Sequence, residues 1–140
     1  MKHGFFKVAA ATPIIKTADP SFNAENIIKM MEKAEKEGVK VLLFPELSLT
    51  GYTCNDLFFQ STLRKSTIDA LDKIREKTKE TGTVTVIGLP LEKNAKLYNT
   101  AVFLYKGEIL GVVPKTYIPN YGEFYECRHF TPAPCENSVI

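Results

Sequence analysis

A run of four apolar residues that ends in a proline and a carboxylate constrains the fold of this chain more than any other feature. The run is Val41-Leu42-Leu43-Phe44, and Pro45-Glu46 follow it directly. Short apolar runs bounded by breaking residues are typical of buried β-strands. Because Pro45 has no N–H and favours extended geometry in the residue before it, regular pairing is expected to stop there. Glu46 is therefore predicted to lie at the carboxyl end of a strand in an α/β sheet.

The position of Glu46 by itself is compatible with two roles. Ligands of α/β folds bind at the carboxyl ends of strands, and a half-buried carboxylate there can act as a general base. The alternative is a structural carboxylate that caps the next segment of the chain. Position alone favours the structural role, so further motifs must decide between the two.

Composition indicates one globular domain at most. The chain has 140 residues, of which 44% are hydrophobic and 24% are charged, as in ordinary globular proteins. A net charge of +2 argues against a nucleic-acid-binding surface or an anionic membrane surface. No apolar run has the length of a membrane span, and the first residues do not resemble a signal peptide. Three irregularly spaced cysteines indicate neither disulfides nor a zinc site, so a cytoplasmic location is expected.

Hydrophobic periodicity predicts a strand–helix–strand unit in the first third of the chain. A strand over 5–15, expected to be central in its sheet, precedes a helix over 22–37. Asp19-Pro20 supplies the start signal of this helix and Gly38 its end signal. A second strand over 39–44 follows, so the two strands are expected to be parallel.

The rest of the pattern predicts one more helix and three more strands. After an irregular loop over 47–59, a helix over 60–80 is expected to bury Leu63, Ile68, Leu71 and Ile74. The remaining strands are predicted over 83–91, 97–105 and 108–113, with a polar turn over 92–96 and a hairpin turn at Lys106-Gly107.

Two motifs resemble those of the nitrilase superfamily of carbon–nitrogen hydrolases. The stretch from Phe44 to Tyr52 is similar to the family's F-P-E-x-x-x-x-G-Y motif, which carries the catalytic glutamate. The stretch from Lys115 to Glu126 is similar to the family's K-x-x-L-P lysine motif with a Y-x-x-F-x-E tail. Glu46 and Lys115 stand in the family's order, 69 positions apart. The sequences of residues 51–58 and 120–126 are most similar to those of the glutaminase domain of glutamine-dependent NAD+ synthetases.

The resemblance implies a fold and a set of site residues. The expected fold is α/β, the N-terminal half of a four-layer α-β-β-α sandwich. Glu46 is expected to be the general base, and Lys115 the group that stabilises the negative oxygen of the transition state. Glu126 is expected to hold the substrate amide and orient Lys115, while Tyr52 and Tyr121 line the substrate pocket. Judged from residue type alone, Lys115 is also compatible with a solvated surface position, and both tyrosines with the core.

The family's third catalytic group, a nucleophilic cysteine, is not recognisable in this sequence. The family places it after the lysine motif, in a G-x-x-I-C-x-D-like context. Cys54, Cys127 and Cys135 stand in other contexts, and we interpret them as structural or surface thiols. A Cys–His pair with His3 or His129 is the weaker alternative, since the first is terminal and the second is expected at the surface.

The resemblance also predicts what the chain does. Residues 1–140 are expected to form a partial glutaminase domain that ends before the nucleophile and releases no ammonia by itself. The complete enzyme is expected to feed ammonia to ATP-dependent NAD+ synthesis from nicotinic acid adenine dinucleotide. The glutaminase part should need no cofactor, whereas ATP and Mg²⁺ belong to a synthetase domain that is absent from this sequence.

Several partners and alternatives follow from the same reasoning. Glutamine, the remainder of the parent polypeptide and further copies in a homo-oligomer are the expected partners, without nucleic acid or membrane. A stand-alone amidase of the same superfamily is the alternative within enzymes. A non-catalytic scaffold with this fold is the alternative from a different class.

Overall fold

A computed structural model describes residues 4–134 of the chain. Within that range, strands and helices alternate first, and strands alone follow. The elements are β1 (Lys7–Ala10), α1 (Pro20–Lys36), β2 (Val39–Leu43), α2 (Ser61–Lys77), β3 (Val84–Lys93), β4 (Lys96–Tyr105) and β5 (Glu108–Pro114). Short 3₁₀ segments cover Tyr52–Phe59, Thr78–Glu80 and Glu126–Arg128. The predicted order of strands and helices is confirmed.

The strands form one mixed sheet, and their order in the sheet is their order in the chain. β1, β2 and β3 are parallel, whereas β4 is antiparallel to both β3 and β5. The prediction that the first strand is central is wrong, because β1 has only four residues and lies at the sheet edge. Most apolar residues of the predicted 5–15 strand lie outside the paired segment, and Phe5 and Ile14 are exposed.

Helix α1 begins and ends at the residues that the sequence indicates. The Asp19 side chain accepts a hydrogen bond from the Phe22 N–H at 3.1 Å, and Pro20 occupies the first turn. Both features stabilise a helix N-terminus. Gly38 follows the last turn with a φ of +73°, a conformation that suits glycine. The buried face of α1 carries Ala24, Ile27, Met31 and Ala34.

Helix α2 is shorter than predicted, and its buried face is different at one position. The α-helix ends at Lys77, and Thr78–Glu80 continue as a 3₁₀ turn. Leu63, Leu71 and Ile74 are buried as expected, but Ile68 is 44% exposed. Thr67 takes the inward position instead, and its hydroxyl donates to the Leu63 carbonyl at 2.8 Å. No helix within 4–134 is long and apolar enough to cross a membrane.

Two-residue turns join β3 to β4 and β4 to β5. All four turn residues, Asn94-Ala95 and Lys106-Gly107, have positive φ: 52°, 58°, 51° and 85° in chain order. Such turns match the twist of antiparallel strands. The hairpin at Lys106-Gly107 is confirmed, while the predicted 92–96 turn is shorter because the strands extend to Lys93 and from Lys96.

The turn between β4 and β5 is fastened to the end of α2. The Gly107 N–H donates to the Thr78 hydroxyl at 2.8 Å, and the Gly107 carbonyl accepts from the Arg75 guanidinium at 2.8 Å. A Cβ at Gly107 would meet the Lys79 side chain at 2.7 Å, so the close approach suits glycine. The hairpin is therefore held at its tip.

Both helices pack on one face of the sheet and form the core with it. Half of a sandwich is expected to leave apolar surface uncovered at Val84, Val86, Val102 and Leu104. That expectation is wrong for Val102 and Leu104, which are fully buried, and for Val86, which is 4% exposed, whereas Val84 is half-buried. In register, Val102 lies opposite Ile87 and Leu104 opposite Thr85, and these alternate positions face the helices.

The other face of the sheet is apolar, and no described element covers it. Leu43, Val113 and Val8, on three different strands, are 50%, 56% and 63% exposed. Residues 4–134 therefore provide one helix layer and one sheet, which agrees with half of the expected four-layer sandwich.

Candidate active site

Glu46 lies in a tight turn that crosses β3 at a glycine. The turn is held on both sides, because Phe44 donates to the Val86 carbonyl at 2.9 Å and Leu49 to the Gly88 carbonyl at 3.1 Å. A Cβ added at Gly88 would lie 2.4 Å from the Leu47 nitrogen and 2.6 Å from the Pro45 oxygen. Only a glycine permits this approach without moving the backbone. The turn therefore sets the position of the Glu46 carboxylate.

Lys115 follows β5 and reaches Glu46 across the sheet. Its N–H donates to the Asn99 carbonyl at 2.8 Å, so it continues the pairing of β5 with β4 by one residue. Its Nζ lies 2.8 Å from Glu46 Oε1. The two motifs that the sequence indicates thus meet in one ion pair.

Glu126 is the buried carboxylate of the cluster. Its side chain is 6% exposed, and its two oxygens lie 3.1 Å and 2.9 Å from Lys115 Nζ. The Tyr52 hydroxyl donates to Glu126 Oε1 at 2.8 Å. Four of the five predicted site residues, Glu46, Tyr52, Lys115 and Glu126, are therefore in one hydrogen-bonded cluster.

The cluster fixes the charge of the lysine. Partial burial lowers the pKa of Lys115, but the hydrogen bonds to Glu46 and Glu126 outweigh it and hold this pKa above its ordinary value. Burial and the bond to Glu126 raise the pKa of Tyr52 well above its ordinary value, so the tyrosine stays a neutral donor. The arrangement presents one fixed ammonium between two carboxylates.

The charged cluster borders a cleft of about 500 Å³ on the uncovered face of the sheet. Its polar walls are Glu46, Asn99, Thr100 and Lys115, and its apolar walls include Leu43 and Val113. The Glu46 side chain is 43% exposed, whereas Lys115 is 29% exposed. Glu46 is thus the more accessible of the two groups to a reactant in the cleft. A second cavity of about 160 Å³ has Tyr52, Glu123 and Glu126 in its lining.

Tyr121 does not join the cluster. It is 71% exposed, and its ring packs edge-on against Phe124 with 5.7 Å between the ring centroids. This ring contact does not involve the charged groups. Its predicted place in the substrate pocket is not seen in this arrangement.

The described cysteines occupy structural and surface positions. Cys54 is buried, its thiol donates to the Thr50 carbonyl at 3.1 Å, and burial raises its pKa. Cys127 is exposed and lies 3.8 Å from the Ile118 carbonyl. Cys135 and His3 lie outside the described residues. Neither Cys54 nor Cys127 contacts Glu46 or Lys115, and residues 4–134 hold no cluster of three or more His, Cys, Asp or Glu suited to a metal ion.

The prediction that His129 lies at the surface is wrong. Its side chain is 8% exposed and packs against the rings of Phe58 and Phe59, with centroid distances of 5.6 Å and 5.4 Å. Its Nε2 lies 3.3 Å from Asp56, which also pairs with Arg128 through two contacts of 2.7 Å and 2.8 Å. These contacts join the 3₁₀ segment that begins with Tyr52 to the one that begins with Glu126.

The sequence reading missed two residues that build the site. Gly88 lies under the Glu46 turn, and Asn99 donates a hydrogen bond from its side chain to Glu46. The residue types themselves are a signal in the sequence, because asparagine and glycine are uncommon inside strands. Where they occur there, they often mark a close backbone approach or a specific contact.

Comparison with known proteins agrees with this geometry. The family model described as carbon-nitrogen hydrolase matches residues 7–138. The glutamine-dependent NAD(+) synthetase of Mycobacterium tuberculosis is 39% identical over 139 residues, covering 99% of this chain and 20% of that protein. The corresponding enzyme of Aquifex aeolicus is 35% identical over 112 residues, covering 80% and 19%. The chain thus spans about a fifth of the length of these curated relatives.

Solved structures with the same fold include glutamine-dependent NAD+ synthetases and an amidase. The glutamine-dependent NAD(+) synthetase from Cytophaga hutchinsonii superposes with a TM-score of 0.88 at 29% identity, over 94% of this chain and 22% of that one. An amidase from Nesterenkonia sp. AN1, with acrylamide added at its active-site cysteine, gives a TM-score of 0.78 at 25% identity, over 93% and 50%. Motifs, geometry and both comparisons agree: this chain belongs to the carbon–nitrogen hydrolase family and has the nitrilase-type fold.

Proposed function

We propose that this chain is the first part of a glutaminase domain that supplies ammonia for NAD+ synthesis. The observation that carries the proposal is the single lysine ammonium held between Glu46 and Glu126 at the edge of a cleft. A fixed positive charge of this kind suits the oxyanion that forms when an amide is attacked. The relatives named above as glutamine-dependent synthetases support glutamine as the amide.

The three charged groups have different roles in this proposal. Glu46, the exposed carboxylate, is the general base that takes the proton of the nucleophile and passes it to the departing ammonia. Lys115 stabilises the oxyanion, and Glu126 holds Lys115 in place and contacts the amide. Tyr52 keeps Glu126 oriented through its 2.8 Å hydrogen bond. Tyr121 remains a candidate for substrate contact, provided that its segment turns toward the cleft in the complete domain.

The nucleophile of the proposed reaction is a cysteine outside residues 1–140, after the lysine motif. The buried, hydrogen-bonded Cys54 and the exposed Cys127, whose thiol lies 3.8 Å from the Ile118 carbonyl, do not suit that role. The active-site cysteine of the Nesterenkonia amidase supports a thiol as the family's nucleophile. The thiol would form a thioester with the substrate, which water then cleaves.

The complete protein would carry a second domain that consumes the ammonia. By similarity to the synthetases, that domain would use ATP and Mg²⁺, and the whole protein would work as a homo-oligomer in the cytoplasm. These partners are proposed for the parent polypeptide, since the chain covers about a fifth of its relatives.

A stand-alone amidase is the second candidate. The observation in its favour is the Nesterenkonia amidase, of which this chain covers half at a TM-score of 0.78. The two functions differ in the sequence that follows Ile140. A synthetase domain after the nucleophile supports the first, and a chain that ends soon after the nucleophile supports the second.

Ammonia release measures the proposed activity directly. The protein translated from the complete reading frame should release ammonia from glutamine, and the 140-residue chain should release none. Glu46→Gln and Lys115→Met should each lower kcat by about 100-fold or more. Glu108→Gln and Lys65→Met are matched controls at exposed positions and should retain the activity.

Two outcomes would overturn this proposal. One is a complete protein that hydrolyses simple aliphatic amides but not glutamine, which would favour the amidase. The other is activity in the 140-residue chain that disappears when Cys54, Cys127 or Cys135 is replaced, since the nucleophile would then be a residue interpreted here as structural.

A further inference from the structure

Asn99 is a buried polar residue in the middle of the sheet. It lies on β4 opposite Pro90 of β3 and is 3% exposed. Buried side-chain amides are costly unless they are hydrogen-bonded. A polar side chain at this position therefore needs a specific partner.

The partners of Asn99 are the two residues that form the central ion pair. Its side-chain nitrogen donates to Glu46 Oε1, and its backbone carbonyl accepts from the Lys115 N–H at 2.8 Å. The direction of the first bond follows from chemistry, because an ionised carboxylate only accepts hydrogen bonds and so faces the NH₂ group. Asn99 is thus in contact with both motifs at once.

The two carboxylate oxygens of Glu46 therefore have different hydrogen-bond environments. Oε1 accepts from both Asn99 and Lys115. Oε2 accepts from no residue in the described part of the chain. Since the Glu46 side chain is 43% exposed beside the cleft, Oε2 is the oxygen open to a reactant.

We infer that Asn99 is a positioning residue that holds Glu46 by Oε1 and leaves Oε2 to exchange the proton. This inference rests on the proposed glutaminase function and adds one residue and one atom to it. A thiol of the nucleophile gives its proton to Oε2, sulfur bonds to the amide carbon, and the same proton leaves with the amide nitrogen as ammonia. The C–N bond breaks and a thioester remains. Water then attacks the thioester and gives a proton to Oε2, which passes it to the departing sulfur, so Glu46 ends each cycle ionised.

Two substitutions separate this role from simple packing. Asn99→Ala removes the side-chain donor but keeps the backbone contact to Lys115. Asn99→Asp keeps the size and shape but turns an acceptor toward Glu46. A packing role predicts that Asp is tolerated better than Ala, whereas a positioning role predicts that Asp is no better.

The kinetic test uses the protein translated from the complete reading frame, with glutamine as substrate. We expect both variants to lower kcat by about 10- to 100-fold, with KM changed by less than about twofold. Thr67→Val is the matched control, because Thr67 is as buried as Asn99, loses one hydrogen bond to the Leu63 carbonyl, and lies on α2 rather than in the cleft. It should lower stability without the loss in kcat.

Crystal structures of the same variants give a readout that does not depend on activity. We expect Glu46 Oε1 and Lys115 Nζ, 2.8 Å apart here, to separate beyond about 4 Å, the limit of a close ion pair. Wild-type kcat in Asn99→Asp, or an unchanged 2.8 Å contact in Asn99→Ala, would overturn the inference. If the wild-type protein does not hydrolyse glutamine, the proposed function fails, and the crystallographic distance still decides the role of Asn99.

Discussion

Gly88 lies beneath the turn that carries Glu46, and its lack of a side chain allows the two backbones to approach. The nearest contact of an added Cβ would be 2.4 Å, to the Leu47 nitrogen. This distance involves backbone on both sides, so no side-chain rotation could relieve it. At the scale of single residues, the site depends on this glycine as well as on its charged groups.

We expect Gly88→Ala to move the Glu46 turn and to lower the free energy of unfolding by about 1–3 kcal/mol. Urea unfolding of the two proteins measures the difference. Gly111→Ala is the control on β5, where an added Cβ would meet nothing within 4 Å and where φ is not positive. Equal stability of the Gly88 and Gly111 variants would show that the turn has room to move.

Lys115 gives a pH-dependent prediction. Its folded-state pKa is raised, so its stabilising contribution is fully present below the unfolded-state pKa of about 10.4. That contribution is lost as the pH rises through the higher folded-state pKa. Lys115→Met should therefore lower the free energy of unfolding by about 3 kcal/mol at neutral pH, because it leaves the buried Glu126 carboxylate without its charged partner.

The difference between wild type and Lys115→Met should narrow only above about pH 10.5, as both proteins then lack the ammonium. Urea unfolding from pH 7 to 11, with Lys65→Met as the exposed control, measures it. A difference that already disappears between pH 8 and 9 would contradict the raised pKa.

At the scale of elements, the contacts of Asp56 hold two 3₁₀ segments together. One segment begins with Tyr52 and the other with Glu126, whose side chains are hydrogen-bonded to each other. Arg128 and, after it, His129 lower the pKa of Asp56 to about 2. The stabilisation is thus present above the unfolded-state pKa of about 3.9 and is lost as the pH falls through about 2.

Asp56→Asn should therefore lower Tm at pH 6, and the difference from wild type should shrink between about pH 4 and pH 2. Thermal unfolding monitored by circular dichroism tests it. Asp69→Asn, at an exposed position on α2, serves as the control and should change Tm little at any pH. A Tm difference for Asp56→Asn that persists at pH 2 would assign the effect to packing rather than to charge.

The elements show what the sequence could and could not predict. The α1 boundaries were predictable, because Asp19, Pro20 and Gly38 are local signals that act within one turn. The inward position of Thr67 was not, since its buried hydroxyl is compensated by the Leu63 carbonyl and hydropathy alone favours Ile68. Likewise, Glu46, Lys115 and Glu126 stand in motifs, whereas the contact of Asn99 with Glu46 depends on register between strands far apart in the chain.

At the scale of the whole molecule, the uncovered sheet face is the main feature. Leu43, Val113 and Val8 leave apolar surface open on three strands, and β1 has an edge with no described partner. Surfaces and edges of this kind promote pairing with other chains. We expect the 140-residue chain to self-associate at low micromolar concentration.

Sedimentation velocity tests this prediction with a matched pair of variants. Val8→Lys places a charge on the edge strand and should reduce self-association. Ile68→Lys places the same charge on α2, on the helical side of the sheet, where Ile68 is 44% exposed. This variant should leave self-association unchanged. A wild-type chain that sediments as a monomer and melts sharply would show that these residues complete their own core.

The hydrogen bonds of Gly107 to Thr78 and Arg75 link the β4–β5 hairpin to the end of α2. Strand β5 has seven residues, about 24 Å in extended form, with Lys115 at one end and the fastened turn at the other. The position of the end of α2 therefore affects the position of the Lys115 ammonium. For the proposed glutaminase, substitutions near Thr78 would therefore shift the Lys115 ammonium without touching the substrate.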